Sequence, residues 1–138
     1  MFDITSVAAS ETSVLELVSA ADEPLLDADG KPLTITLYGP GTTQFARASQ
    51  RRQNKLLDRL KKKGKADLSP DEQTAEQADF LASVTVSFNG WTYPPAGKAT
   101  GAELFKAAYK DRAIGFIADQ VTAFVGDWAN FTKSSDAS

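Results

Sequence analysis

Nine of the fifteen Lys and Arg residues in this 138-residue chain lie between Arg47 and Lys65, where Asp58 is the sole acid. That stretch has a net charge of +8, against −6 for the residues before it and −5 for those after it. Charge blocks of this kind act over about a Debye length, ~10 Å, and steer association. The block also reads as a helix from Thr43 to Lys63. At about 100° per residue, Arg47, Arg51, Arg52, Lys55, Arg59, Lys61, Lys62 and Lys63 cover one side. Phe45, Leu56, Leu57 and Leu60 fall on the other, within an arc of about 120°. One reading is a solvated surface helix whose cations suit its C-terminal dipole. The sharper reading is a partner-binding face made of Arg47, Arg51, Arg52, Lys55, Arg59, Lys62 and Lys63. On that reading, weak head-to-tail contact between this face and the acidic surface of another copy builds a ring or an open spiral. Reversing Arg51, Lys55 and Arg59 to Glu is then expected to spare the fold, because all three stand opposite the Leu56/Leu60 stripe.

The length suits one domain with one core. The expected division is a β-rich part over residues 1–41, a helical part over 42–131 and a flexible tail over 132–138. The absence of cysteine excludes a disulfide framework and a thiolate zinc site. The absence of histidine removes the usual triads, histidine metal ligands and the neutral-pH acid–base group. Carboxylates recur as Asp27/Asp29 and Asp71/Glu72, and both pairs have structural explanations. We therefore expect no catalytic residues, no cofactor and no metal. The N-terminus has neither a basic nor an apolar leader region, and no apolar run approaches the ~20 residues needed to cross a bilayer. These features point to a soluble intracellular protein.

Along the chain, residues 1–10 read as a loose lead-in and Val14–Val18 as a strand. Leu25–Tyr38 reads as a hairpin turning at Asp29-Gly30, with Leu33, Ile35 and Leu37 alternating with Thr34 and Thr36. Asp27 and Asp29 fit turn chemistry better than a calcium loop, since no second ligand set follows. Gly39-Pro40-Gly41-Thr42-Thr43 connects strand to basic helix and lacks the phosphate-loop pattern. Gly64 ends that helix. Ser69-Pro70-Asp71-Glu72 opens the next with an N-cap, a Pro at the first position and a capping box. Its apolar stripe continues through Ala75, Ala78, Leu81, Ala82 and Thr85 to Phe88. We therefore expect the helix to run to a C-cap at Asn89-Gly90, although 84–93 also fits a hairpin around Asn-Gly.

Pro94–Ala99 reads as an exposed loop, and Thr100-Gly101-Ala102-Glu103 as a second capping box opening a short helix. Asp111 caps a last helix with Ile114, Ile117, Val121, Phe124, Val125 and Trp128 inside. The late aromatics Trp91, Tyr93, Phe105, Tyr109, Phe116, Phe124, Trp128 and Phe131 read mostly as core. The fold class expected is α+β, a small N-terminal β-hairpin or sheet followed by a mainly α-helical bundle of about four helices. The basic helix has no interleaved aromatics and the rest of the chain repels phosphate, which argues against nucleic acid.

The order of these pieces resembles a known family. Leu33-Thr34-Ile35-Thr36-Leu37-Tyr38-Gly39-Pro40-Gly41 is followed by an Arg/Gln-rich helix and by Ala82-Ser83-Val84-Thr85-Val86-Ser87-Phe88-Asn89-Gly90-Trp91. Gly101-Ala102-Glu103-Leu104-Phe105, Ile117-Ala118-Asp119-Gln120-Val121 and Phe124-Val125-Gly126-Asp127-Trp128-Ala129-Asn130-Phe131 complete it. Over residues 25–133 this resembles the tail assembly chaperones of long non-contractile-tailed bacteriophages and related prophages. The specificity lies in the order and in the closing Gln-Val…Phe-x-x-Asp…Asn-Phe pattern. The resemblance implies a non-enzymatic protein of the host bacterial cytoplasm that binds and solubilises the tape measure protein. It also implies recruitment of tail tube subunits and departure before the virion is complete. Many such chaperones have a longer form made by ribosomal frameshifting, with which the polar residues 132–138 are compatible. The competing reading is a small structural tail or head–tail connector protein of the virion.

Overall fold

The computed structural model describes residues 1–64 and 67–132. Three strands, β1 (Thr12–Glu16), β2 (Thr34–Tyr38) and β3 (Thr85–Asn89), form one antiparallel sheet in the order β1-β2-β3. Four helices accompany it: α1 (Thr43–Lys63), α2 (Pro70–Ser83), α3 (Gly101–Lys110) and α4 (Gly115–Val125). The fold is α+β.

Strand alternation sorts the sheet into two faces. Ser13, Leu37 and Thr85 share one cross-strand row, and Leu15, Ile35 and Phe88 the next. These rows pack beneath the helices, where Ile35 and Leu37 are fully buried. Ala78, Leu81, Ala82 and Val84 from α2 and its C-cap, Phe105 and Tyr109 from α3, and Ile117, Val121 and Val125 from α4 complete the core. The opposite face carries a polar net in which Asn89 Nδ2 donates to Thr34 and Thr36 Oγ1, each at 3.0 Å.

Two features of the β part differ from expectation. Residues 25–38 do not make the main hairpin; β2 pairs instead with β1, and Leu26 meets Pro32 only as an isolated bridge. The turn itself forms as expected, since Asp27 Oδ1 accepts from the amides of Asp29 (2.8 Å) and Lys31 (3.0 Å). Residues 85–89 are a strand and not the end of a helix or half of an Asn-Gly hairpin. With β1 on one edge of β2, the backbone groups of the other edge still need partners, and the β-branched Thr85 and Val86 suit a strand there. The sheet is therefore completed from inside the part expected to be helical. A register irregularity between Thr36 and Leu37 accommodates the pairing.

Helix ends follow the chemistry of their residues in most places. Thr42 Oγ1 accepts from Phe45 N at 3.1 Å, and Gly64 closes α1 at φ 70°. The capping box between Ser69 and Glu72 opens α2. Thr100 makes no side-chain cap bond, contrary to the second capping box expected there. Asp111 caps a 3-10 turn, Arg112–Ile114, which leads into α4. Residues 1–9 are exposed but include a 3-10 turn over Ile4–Val7.

After α4 the chain turns through a further 3-10 segment, Trp128–Phe131. Trp128, expected in the core, is 57% exposed, and Phe131 is fully buried in its place. Gly39 makes room for it: a Cβ there would stand 2.6 Å from Phe131 Cδ2. Four residues of the closing sequence pattern hold this arrangement. The Gln120 amide bonds both backbone groups of Val18, at 2.9 and 2.8 Å. Asp127 caps the turn through Ala129 N, and Asn130 Nδ2 donates to Phe124 O. Phe131 fills the space they enclose. Of the expected flexible tail, residues 133–138 lie outside the described residues.

Candidate partner-binding face

α1 has the two faces its sequence implies, but the middle of the cationic one leans toward α2, where Arg51 and Lys55 stay exposed and Arg59 is half-buried. Arg51 Nη2 donates to Ser83 Oγ at 2.7 Å, and Lys55 Nζ meets Asp79 Oδ2 at 3.1 Å. Arg59 pairs with Glu76. On α1 these positions step by four, and on α2 their partners return by steps of four and three, so two antiparallel helices meet along matched rows. The guanidinium of Arg52 lies 5.1 Å from the Phe80 ring centroid, and Phe45 meets the same ring edge-on at 5.5 Å. Ala48 is the buried residue of α1 and lets the backbones approach.

Four of the candidate binding residues, Arg51, Arg52, Lys55 and Arg59, are thus brought together in the contact between α1 and α2. Reversing Arg51, Lys55 and Arg59 would not spare the fold, because it would set three carboxylates against Glu76 and Asp79. Arg47, Lys62 and Lys63 stand outside that contact and are exposed, as is Lys61. Arg47, Lys61 and Lys62 have no ion pair among the described residues. Lys63 acts at a distance on Glu72, whose carboxyl is held below its ordinary range. The main causes there are hydrogen bonds from the Ser69 backbone and then its hydroxyl, with the Lys63 charge adding to them. Lys65 lies outside the described residues.

The leucines divide in the opposite sense. Leu56 is half-buried in an open groove between α1 and α2, shared with Arg52, Gln53, Leu68 and Phe80. Leu57 and Leu60, expected inside, are 46% and 44% exposed. Within the contact, Arg59 Nε is buried without a hydrogen-bond partner among the described residues. The outer face of α1, away from α2, therefore consists of leucines and amides bordered by cations.

Sequence reasoning missed the acceptor row on α2. The signal was present: Glu76, Asp79 and Ser83 recur at three and four, the spacing needed to answer Arg51, Lys55 and Arg59. It also missed the apolar patch where Trp128 borders Ile4, Val7 and Ala8.

Among the described residues, no helix is long and apolar enough to cross a membrane. No family model matches the chain, and neither the curated proteins nor the solved structures contain a significant match to it.

Proposed function

We propose that this chain is a tail assembly chaperone of a long non-contractile-tailed bacteriophage or a related prophage. In this role it binds the tape measure protein, keeps it soluble and helps recruit tail tube subunits, acting in the host cytoplasm and leaving before the virion is complete. The observation that carries the reading is α1, a 21-residue helix whose buried residue is Ala48 and whose Leu57 and Leu60 face solvent one turn apart. An outward apolar pair on a long, lightly packed helix suits a surface made to be covered by another protein.

The order of sequence segments supports the same reading. The closing pattern is occupied with fold-keeping contacts through Gln120, Asp127, Asn130 and Phe131. Partner recognition then belongs elsewhere, and α1 is the element with surface to spare.

The test is fractionation of infected or induced cells. A chaperone co-purifies with the tape measure protein from lysate and is absent from purified virions. Stoichiometric recovery from virions would instead assign the chain to a structural tail or head–tail connector role.

A further inference from the structure

The outward face of α1 has the spacing of a coiled-coil seam. Ala46, Gln50, Gln53, Leu57, Leu60 and Gly64 follow one another at alternating steps of four and three, and all six are exposed. That alternation keeps one narrow stripe against a neighbouring helix over its whole length. In the same heptad frame, Arg47, Asn54 and Lys61 flank the stripe on one side, and Ser49, Leu56 and Lys63 on the other. No acid stands among these six. Asp58, the helix's sole acid, lies off the seam.

We infer that this seam takes an α-helix of another protein, one whose narrow apolar stripe is flanked by Asp and Glu. This deepens the chaperone reading and rests on it for the identity of the partner alone. Charge selects the occupant. Pairing α1 with a second copy would set Arg47 against Lys61 in the antiparallel sense, where like charges at flanking positions oppose association, and would set Lys61 against Leu56 in the parallel sense, where the cations find no acid. An acidic helix meets complementary charge on both sides.

Arg47 points the same way. It is exposed in the N-terminal half of α1 and has no acidic partner among the described residues. A carboxylate supplied by a partner would meet that charge. The seam also opens along Gln53 and Leu56 onto the groove with Leu68 and Phe80, so a covering helix would shield those half-buried side chains too. Leucines occupy only the C-terminal half of the stripe, with amides at Gln50 and Gln53. Contact of this composition is reversible, as release of a chaperone requires.

Two synthetic heptad peptides test the inference against the full chain. Both have a leucine stripe; one is flanked by Glu and the other by Lys, and binding is read by fluorescence anisotropy of the labelled peptide. The Glu peptide should bind, and bind at least tenfold more weakly at about 500 mM than at about 50 mM salt, while the Lys peptide should not bind. Leu57→Gln with Leu60→Gln should weaken Glu-peptide binding roughly tenfold or more without changing the circular dichroism spectrum. Arg47→Glu with Lys61→Glu should transfer the preference to the Lys peptide. Equal binding of both peptides, or undiminished binding by the leucine variant, would overturn the inference. So would a wild-type dimer in sedimentation that the leucine substitutions abolish, since a second copy would then be the occupant. If the leucine variant still solubilises the tape measure protein, the seam is wrong and the chaperone reading stands. If the wild type binds the Glu peptide but solubilises nothing, the reverse holds.

Discussion

Arg59 and Glu76 pair across the contact between α1 and α2 with 16% of each side chain left exposed. Its neighbour Lys55–Asp79 leaves 45% and 29% exposed. The two pairs therefore differ in what they hold. An exposed pair contributes about 0–1 kcal/mol, whereas removing one partner of a buried pair strands a charge and costs about 3–5 kcal/mol. Glu76→Ala should accordingly lower unfolding stability by about 2–4 kcal/mol, given the remaining exposure. Asp79→Asn should cost less than about 1 kcal/mol. Urea titration of both variants checks the order; equal small losses would mean that α1 is held by its apolar contacts alone.

Phe131 and Trp128 exchange the roles that size alone would give them. Phe131→Ala empties a fully buried site beneath Gly39 and should cost about 3–5 kcal/mol. Trp128→Ala should cost less than about 1 kcal/mol, since most of that ring is already in water. Thermal denaturation of the two variants side by side decides it.

Gln120 joins α4 to the chain just after β1 by bonding both backbone groups of Val18. Gln120→Leu keeps the bulk and removes the bonds. It should cost about 1–3 kcal/mol, the penalty for leaving part-buried backbone groups unpaired. Hydrogen exchange at Val18 N should accelerate in this variant, and protection equal to wild type would show that another group satisfies that amide.

The Ser69–Glu72 capping box makes the start of α2 sensitive to acid. Its hydrogen bonds hold the Glu72 carboxyl below the ordinary value of 4.5. A lowered folded value means that the contribution is complete above the unfolded value and lost as pH falls through the folded one. Protection of the Ser69 amide against hydrogen exchange should therefore be lost as pH falls below the ordinary 4.5. Glu72→Gln should remove that pH dependence, and a wild-type profile flat through this window would contradict the cap.

Much of the architecture was legible where local chemistry decides. Thr42 and Gly64 bound α1, Ser69 and Pro70 open α2, and the Leu33–Leu37 alternation marks β2. The strand at 85–89 was not legible, because Leu81, Thr85 and Phe88 continue a helical stripe while Thr85 and Val86 favour a strand. The unpaired edge of β2, a tertiary fact, decides between them. Trp128 was misplaced because the 3-10 turn after Gly126 shifts the helical phase. For the candidate face, the positions of the cations on α1 were readable but their direction was not. An amphipathic wheel assumes that charge faces water, and α2 supplies Glu76 and Asp79 from beyond the helix itself.

Co-expression shows whether this chain covers a long helical partner. The tape measure protein of the same phage or prophage is produced with and without this chain, and its soluble fraction is measured after lysis. The tape measure protein should move from pellet to supernatant and co-elute with this chain. A tape measure protein that stays equally insoluble and does not co-elute would contradict it.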